Sequence, residues 1–452
     1  MGNYEVPVTL LAFSCLLLAA LAVLAYRIDR SAWAPATVYS AVWFVALGIV
    51  WLAGDFFYPI SANTLCIYDL GAICFALGSF LHVRPLANAN PPTQEKLRKG
   101  RSMVLGALIL LIVLFPVFIL ELLRMAGSAP GDNPWMSIRN ALIEIEATPG
   151  GGPFSLAMNL PEIAIGVAFV AVCLRIRKGC SRLLETGAIC MALLYQVLTA
   201  ARYGVFLLMV CIIVLRAMAP GANWRRMART VLPFVLGFAV LFFVNQITLS
   251  KGIDKTYNTL ADSIDLVEKE AVVHAVGGLV GFDQVVANRE TIVANQDIDV
   301  FFVHTLNKLG AQFQEFSRNS DPLLVASPIY FTNVYTIYFC FWPHYGLPGT
   351  MALMFFLGWF AKWCYLKSRS GHDVCAILYA LTINALVMSV LADEFFLTLN
   401  GWLKFAFIGF LAFGWARCPV AKAASAIMSP NDSELLANPS APITAFQPQG
   451  QR

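Results

Sequence analysis

Residues 103–120 read MVLGALILLIVLFPVFIL, a run of apolar residues without a single charge. A helix rises about 1.5 Å per residue, so these residues span about 27 Å, close to the hydrocarbon thickness of a bilayer. Charged residues bound the run, with Arg101 before it and Glu121 after it. The stretch therefore predicts a transmembrane helix.

The composition of the whole chain fits that prediction. Of its 452 residues, 59% are hydrophobic and 13% are charged, whereas about 25% of the residues in soluble domains are charged. Apolar blocks of similar length predict about eleven transmembrane helices in an all-α integral membrane protein. They cover residues 5–26, 33–53, 63–82, 103–123, 154–174, 183–200, 203–219, 230–248, 346–366, 374–392 and 402–416.

The distribution of Lys and Arg predicts the orientation, because cytoplasmic loops retain these residues. They concentrate in alternate short loops, as in residues 27–30, 84–101, 175–182, 216–229 and 367–369. The N-terminus is then outside and the C-terminus is cytoplasmic. The formal net charge of +4 is too small to indicate a nucleic-acid partner.

One polytopic membrane domain is predicted over residues 1–418, followed by a disordered cytoplasmic tail over residues 419–452. The domain includes a large external loop, residues 249–345, between spans 8 and 9. Apolar residues recur there at three- and four-residue spacing in 260–276 and 300–316. This spacing predicts amphipathic helices that lie on the membrane surface or cap a cavity.

Three arginines are candidate ligands for a phosphate group of a substrate. Arg202 lies in an outward turn before a short span, and Arg289 and Arg318 lie in the external loop. Guanidinium groups bind phosphate with two parallel hydrogen bonds. As alternatives, Arg202 snorkels to lipid headgroups and the loop arginines are simply solvated. Asp297 and Asp299 form a pattern too short to predict a metal, so neither metal nor cofactor is expected.

Four other residues are candidates for acid–base catalysis. Glu162 lies inside a predicted span, and Asp393 and Glu394 form the short turn between spans 10 and 11. His344, at the end of the external loop, exchanges a proton near neutral pH when it is unperturbed. Each has an ordinary alternative: an ion pair for Glu162, a solvated turn for the paired acids, and a structural histidine.

Residues 331–349 read FTNVYTIYFCFWPHYGLPG, a stretch dense in aromatic side chains with polar tips. Such side chains stack on sugar rings, which makes Asn333, Tyr335, Thr336 and Tyr338 candidates for substrate binding. An aromatic belt at the membrane interface is the alternative explanation for the Trp and Tyr residues.

At this stretch the chain resembles the Wzy-type oligosaccharide repeat-unit polymerases. Residues 332–336, Gly346 and Gly349 fit the family pattern at matching spacing, and Arg202 fits its outward turn before a short span. The chain departs from the pattern at His344, where the family usually has Asp.

The resemblance implies a membrane-embedded glycosyltransferase that builds O-antigen or exopolysaccharide for the cell envelope. Such an enzyme transfers a growing glycan from undecaprenyl pyrophosphate to the non-reducing end of a new lipid-linked repeat unit. It resides in the bacterial inner (plasma) membrane, with its active site facing the periplasm or exterior, and commonly works with a chain-length regulator protein. The alternatives are an O-antigen ligase-like enzyme and a lipid or oligosaccharide transporter.

Overall fold

A computed structural model describes residues 8–81, 93–128, 137–142, 156–199, 202–219, 260–287, 302–303, 306, 323–326, 330–332 and 334–414. These residues are mostly helical. The main helices are α1 (Val8–Asp29), α2 (Pro35–Leu52), α3 (Ala62–Phe80), α4 (Gln94–Ser128), α5 (Leu156–Ile176), α6 (Arg182–Leu198), α7 (Arg202–Ala217), α8 (Leu260–Ala287), α9 (Ile337–Arg369), α10 (Asp373–Met388) and α11 (Leu399–Phe413).

The external loop is predicted to be helical, but the structure contains a small antiparallel sheet there. Strand β1 (Leu323–Ala326) pairs with β2 (Tyr330–Thr332), and a bulge between Leu324 and Ala326 interrupts the register. Ala326 also bridges to Phe57, just after α2. The sheet therefore ties the long connection to the helical bundle by backbone hydrogen bonds.

Within the described residues, six helices are long and apolar enough to cross a membrane, namely α1 to α5 and the Lys269–Ala287 part of α8. The first five match predicted spans, but α8 lies within the predicted external loop and continues past residue 276. Shorter apolar helices are α7, α10 and α11. Residues 230–248 and 419–452, and most of 300–316, lie outside the described residues. The chain is thus mostly helical with enough apolar helices for a membrane protein, and the number of crossings stays a prediction.

Helix α5 occupies the centre of the bundle. Its residues 164–174 are all buried, as expected for a helix that is apolar on every face. Helices α3 and α6 begin at capping residues. The hydroxyl of Ser61 accepts a hydrogen bond from the backbone of Thr64 at the start of α3, and Ser181 caps α6 in the same way.

Helices α3 and α9 approach each other closely enough for their backbones to touch. A Cβ atom at Gly78 would overlap the carbonyl oxygen of Phe355, and a Cβ atom at Gly358 would overlap the carbonyl oxygen of Phe75. Small residues allow this kind of contact between helices in membranes. The two glycines therefore set the distance between α3 and α9.

Helix α9 is kinked at Gly346, whose φ of 59° lies in the left-handed region that favours glycine. Pro343 and Pro348 flank the kink. A Cβ atom at Gly349 would overlap the side chain of Tyr345. The helix begins at Ile337, so the last residues of the predicted external loop are helical.

Ion pairs mark one end of the bundle, which we call the charged end. Arg177 pairs with Asp373 at 3.0 Å, and Arg216 pairs with Glu185 at 2.7 Å. Asp29 and Lys362 form a third, nearly buried pair. These pairs join the ends of α1, α5 and α7 to the starts of α6 and α10 and to the last turns of α9.

We predict that Gly358→Ala destabilises the protein, because a methyl group at this position forces the two backbones apart. Overpacking of this kind costs about 1–3 kcal/mol. The thermal midpoint of detergent-solubilised protein, followed by circular dichroism, measures the effect. Gly106→Ala is the matched control, since a Cβ atom there meets nothing within 4 Å. Equal midpoints for both variants would contradict the role of the glycine contact.

Candidate functional site

The connection between α10 and α11, residues 389–398, lies at the end of the bundle opposite the charged end. We call it the 389–398 turn. The indole N–H of Trp43 donates to the hydroxyl of Ser389 at 2.9 Å, and the backbone N–H of Ile337 donates to the Ser389 carbonyl at 2.8 Å. The ring of Phe341 packs edge-on against Phe396. The turn is therefore fixed against α2 and the start of α9.

Asp393 is fully buried within this turn. Its Oδ1 accepts a hydrogen bond from the backbone N–H of Phe395 at 2.9 Å, and its Oδ2 accepts one from Phe396 at 3.3 Å. Burial raises the pKa of the carboxyl to about 7, while the backbone hydrogen bonds oppose the rise. Asp393 therefore organises the turn and changes charge near neutral pH.

Glu394 connects the turn to α7. Its carboxylate is hydrogen bonded to the hydroxyl of Tyr203, and that hydroxyl accepts a hydrogen bond from the side-chain amide of Asn384 at 3.2 Å. The indole N–H of Trp402 donates to the Glu394 carbonyl at 3.0 Å. Glu394 is 9% exposed, and its carboxylate is bound by the hydroxyl of Tyr203 from α7.

The start of α7 brings Arg202 to the same end of the bundle. Arg202 is the first residue of this helix, directly before Tyr203. A Cβ atom at Gly204 would overlap the side chain of Gln196, so α6 and α7 meet closely at their tight connection. The backbone at Arg202 is thereby placed next to the residue that binds Glu394.

Glu162 forms an ion pair with Lys404 of α11. The ammonium group of Lys404 also donates to the side-chain oxygen of Asn159 at 2.9 Å. The side chains of Lys404 and Glu162 are 28% and 36% exposed. The pair is close to the 389–398 turn, because Glu162 Oε1 lies 4.0 Å from the Cβ position of Gly401 in the first turn of α11.

The predicted sugar-binding residues around the start of α9 are buried. Tyr335 stacks on Phe339 with ring centroids 4.2 Å apart, and Thr336 is the N-cap residue of α9. Tyr338 is fully buried, and its hydroxyl shares a 2.9 Å hydrogen bond with that of Tyr39. A substrate would reach Tyr338 only if this aromatic core opened, so the positions of these residues favour a packing role.

His344 is exposed just before the kink in α9, with its ring 6.2 Å from that of Tyr345. The residue belongs to α9 and not to the 389–398 turn. Arg289, Arg318 and Asn333 lie outside the described residues. Their assignment to substrate binding stays a prediction.

Three partners in the site were missed by reasoning from the sequence: Tyr203, Asn384 and Lys404. Lys404 carried a usable signal, because a charge inside the predicted span 402–416 needs a partner, and Glu162 was the corresponding acid in span 154–174. Tyr203 and Asn384 carried no such signal. Tyr and Asn occur in apolar helices for many reasons, and only the fold shows that Tyr203 binds Glu394 and that Asn384 binds Tyr203.

No family model matches the chain, and no curated protein and no solved structure matches it either.

We predict that the stability of the wild type falls relative to Asp393→Asn as the pH rises from about 4 to about 7. In this range the folded state keeps a proton on Asp393, whose pKa is about 7, while the unfolded chain, with an ordinary pKa of 3.8, has lost it. Thermal midpoints across the pH range measure the difference. The control is Asp55→Asn, an exposed aspartate outside the long helices, and a pH-independent difference for Asp393→Asn would contradict the prediction.

We predict that Glu162 and Lys404 are energetically coupled. Glu162→Gln or Lys404→Gln alone leaves a partly buried charge without its partner, whereas the double variant removes both charges. The double variant should therefore lose less stability than the sum of the single losses, by about 0.5–3 kcal/mol. The free energies of unfolding of the wild type, the two single variants and the double variant, measured on solubilised protein, give this coupling. If the losses of the single variants simply add up in the double variant, the pair contributes no coupling to stability.

Proposed function

We propose that the protein is a polymerase of lipid-linked oligosaccharide repeat units in the bacterial inner membrane. It transfers a growing glycan from undecaprenyl pyrophosphate to the non-reducing end of a new lipid-linked repeat unit. The resemblance of residues 332–349 and Arg202 to the Wzy-type polymerases supports this class. The products would be O-antigen or a related exopolysaccharide of the cell envelope.

The observation that carries the proposal is the hydrogen bond between Glu394 and Tyr203. It brings a carboxylate next to the start of α7, where Arg202 begins the helix. Glycan transfer from a lipid pyrophosphate needs both kinds of group. A base accepts the proton of the acceptor hydroxyl, and a cation stabilises the pyrophosphate that leaves.

Glu394 is the best-placed base among the four predicted candidates. Both oxygens of Asp393 accept backbone hydrogen bonds within the turn, and Glu162 is held by the ammonium group of Lys404. His344 is an exposed residue of α9 near its kink, outside the 389–398 turn. In the proposed reaction the acceptor oxygen bonds to the anomeric carbon, the bond from that carbon to the pyrophosphate oxygen breaks, and Glu394 takes the hydroxyl proton.

The proposed orientation agrees with the separation of charges along the bundle. Lys and Arg at the charged end favour the cytoplasmic side, and in this proposal the 389–398 turn lies at the periplasmic or outer side. Lipid-linked repeat units are polymerised on that side in the resembled family. The proposal includes eleven crossings and an external N-terminus.

The test is extension of a synthetic lipid-linked repeat unit by purified protein, resolved on gels. We expect chain growth by the wild type and a loss of about 100-fold or more for Glu394→Gln, since general base catalysis contributes about 10²–10⁴-fold. Arg202→Ala should reduce the rate as well. Tyr26→Phe, which changes an exposed residue at the other end of the bundle, is the matched control.

The rival functions give different results in the same preparation. A ligase extends no repeat unit but transfers preformed glycan to a lipid A core. A transporter extends nothing and moves lipid-linked oligosaccharide across vesicle membranes. Either result in place of chain growth, or full activity of Glu394→Gln, would overturn the corresponding part of the proposal.

A further inference from the structure

Seven exposed cationic side chains form one surface at the charged end of the bundle. They belong to the first turns of α4, to the last turn of α5, to the α5–α6 connection and to the start of α6. The residues are Lys96, Arg98, Lys99, Arg101, Arg175, Lys178 and Arg182. We call this set the basic surface.

Close packing brings its two parts together. A Cβ atom at Gly179 would lie 3.0 Å from the side chain of Leu97, which places the connection directly against the start of α4. Burial raises the pKa of the Cys180 thiol, and the charges of Arg101 and Arg175 both oppose that rise. Both guanidinium groups therefore act at the same point of the connection.

Few described acids neutralise the basic surface. Glu95 is exposed at the start of α4. Glu185 is buried and already pairs with Arg216 at 2.7 Å, while Arg175 lies 3.9 Å from its other oxygen. The surface therefore keeps a large excess of positive charge that faces outward.

The basic surface continues without a break into an apolar surface. One turn beyond Arg101, helix α4 exposes Leu105, and further along it exposes Ile109 and Val113, which is 63% exposed. Leu183, next to Arg182, is 84% exposed. In a bilayer the apolar side chains contact acyl chains, so the cations one turn away lie at the depth of the headgroups.

We infer that the basic surface binds the headgroups of anionic phospholipids in the adjoining leaflet. Clusters of Lys and Arg directly next to a membrane helix attract anionic lipids, and Arg forms paired hydrogen bonds with phosphate oxygens. A nucleic acid or an acidic peptide matches only the charge. A lipid matches both the charge and the adjoining apolar surface.

Native mass spectrometry of purified protein with added phosphatidylglycerol tests the inference. The variant K96Q/R98Q/K99Q/R101Q removes four of the charges, and K96R/K99R keeps all of them as the control. We expect the neutralised variant to bind phosphatidylglycerol at least about tenfold more weakly than the wild type. The control should bind like the wild type, and phosphatidylcholine should bind weakly to all three.

Equal binding by the neutralised variant and the wild type would overturn the inference. So would equal binding of phosphatidylcholine, or displacement of phosphatidylglycerol by a small excess of inorganic phosphate. If the neutralised variant fails to fold, the salt dependence of lipid binding by the wild type provides the test. The amount of phosphatidylglycerol bound to the wild type should fall as the salt concentration is raised from about 0.05 to about 0.5 M, because salt screens the attraction between exposed charges. Binding that does not change with salt would contradict the inference.

Discussion

The contact between the backbones of α3 and α9 determines where much of the bundle lies. In a bilayer, lipid tails are as apolar as leucine side chains, so helices associate mainly through close packing. Gly78 and Gly358 provide that packing by leaving no side chain between the two helices. Because α9 is held at this distance, its first turns reach Gly71, whose missing side chain leaves room for the ring of Tyr338.

The position of α9 in turn supports the 389–398 turn. Ile337 donates its backbone N–H to Ser389, and Ser389 is also bound by Trp43 of α2. Asp393 then closes the turn by accepting backbone hydrogen bonds. The carboxylate of Glu394 is thus placed through a chain of contacts that starts at Gly78 and Gly358.

Apolar length alone predicted α1 to α5, because a membrane helix is encoded by a local run of hydrophobic residues. The same reasoning could not give the contact of Gly78 with Phe355, since it joins residues far apart in the chain. It also missed the second half of α8, where residues such as Val280 and Phe282 are buried. For the candidate site, the residue types were identifiable, but the link from Glu394 to Tyr203 required the fold.

The stretch that carries the family resemblance is also the stretch with the clearest packing requirements. Gly346 has a positive φ, Gly349 lies against Tyr345, and Tyr338 fills the space above Gly71. Packing is therefore sufficient to explain these residue types without a bound sugar. Glu394 is accordingly a stronger functional candidate than the aromatic stretch, because its buried carboxylate is hydrogen bonded to Tyr203. This bond is not needed to close the turn that Asp393 already holds.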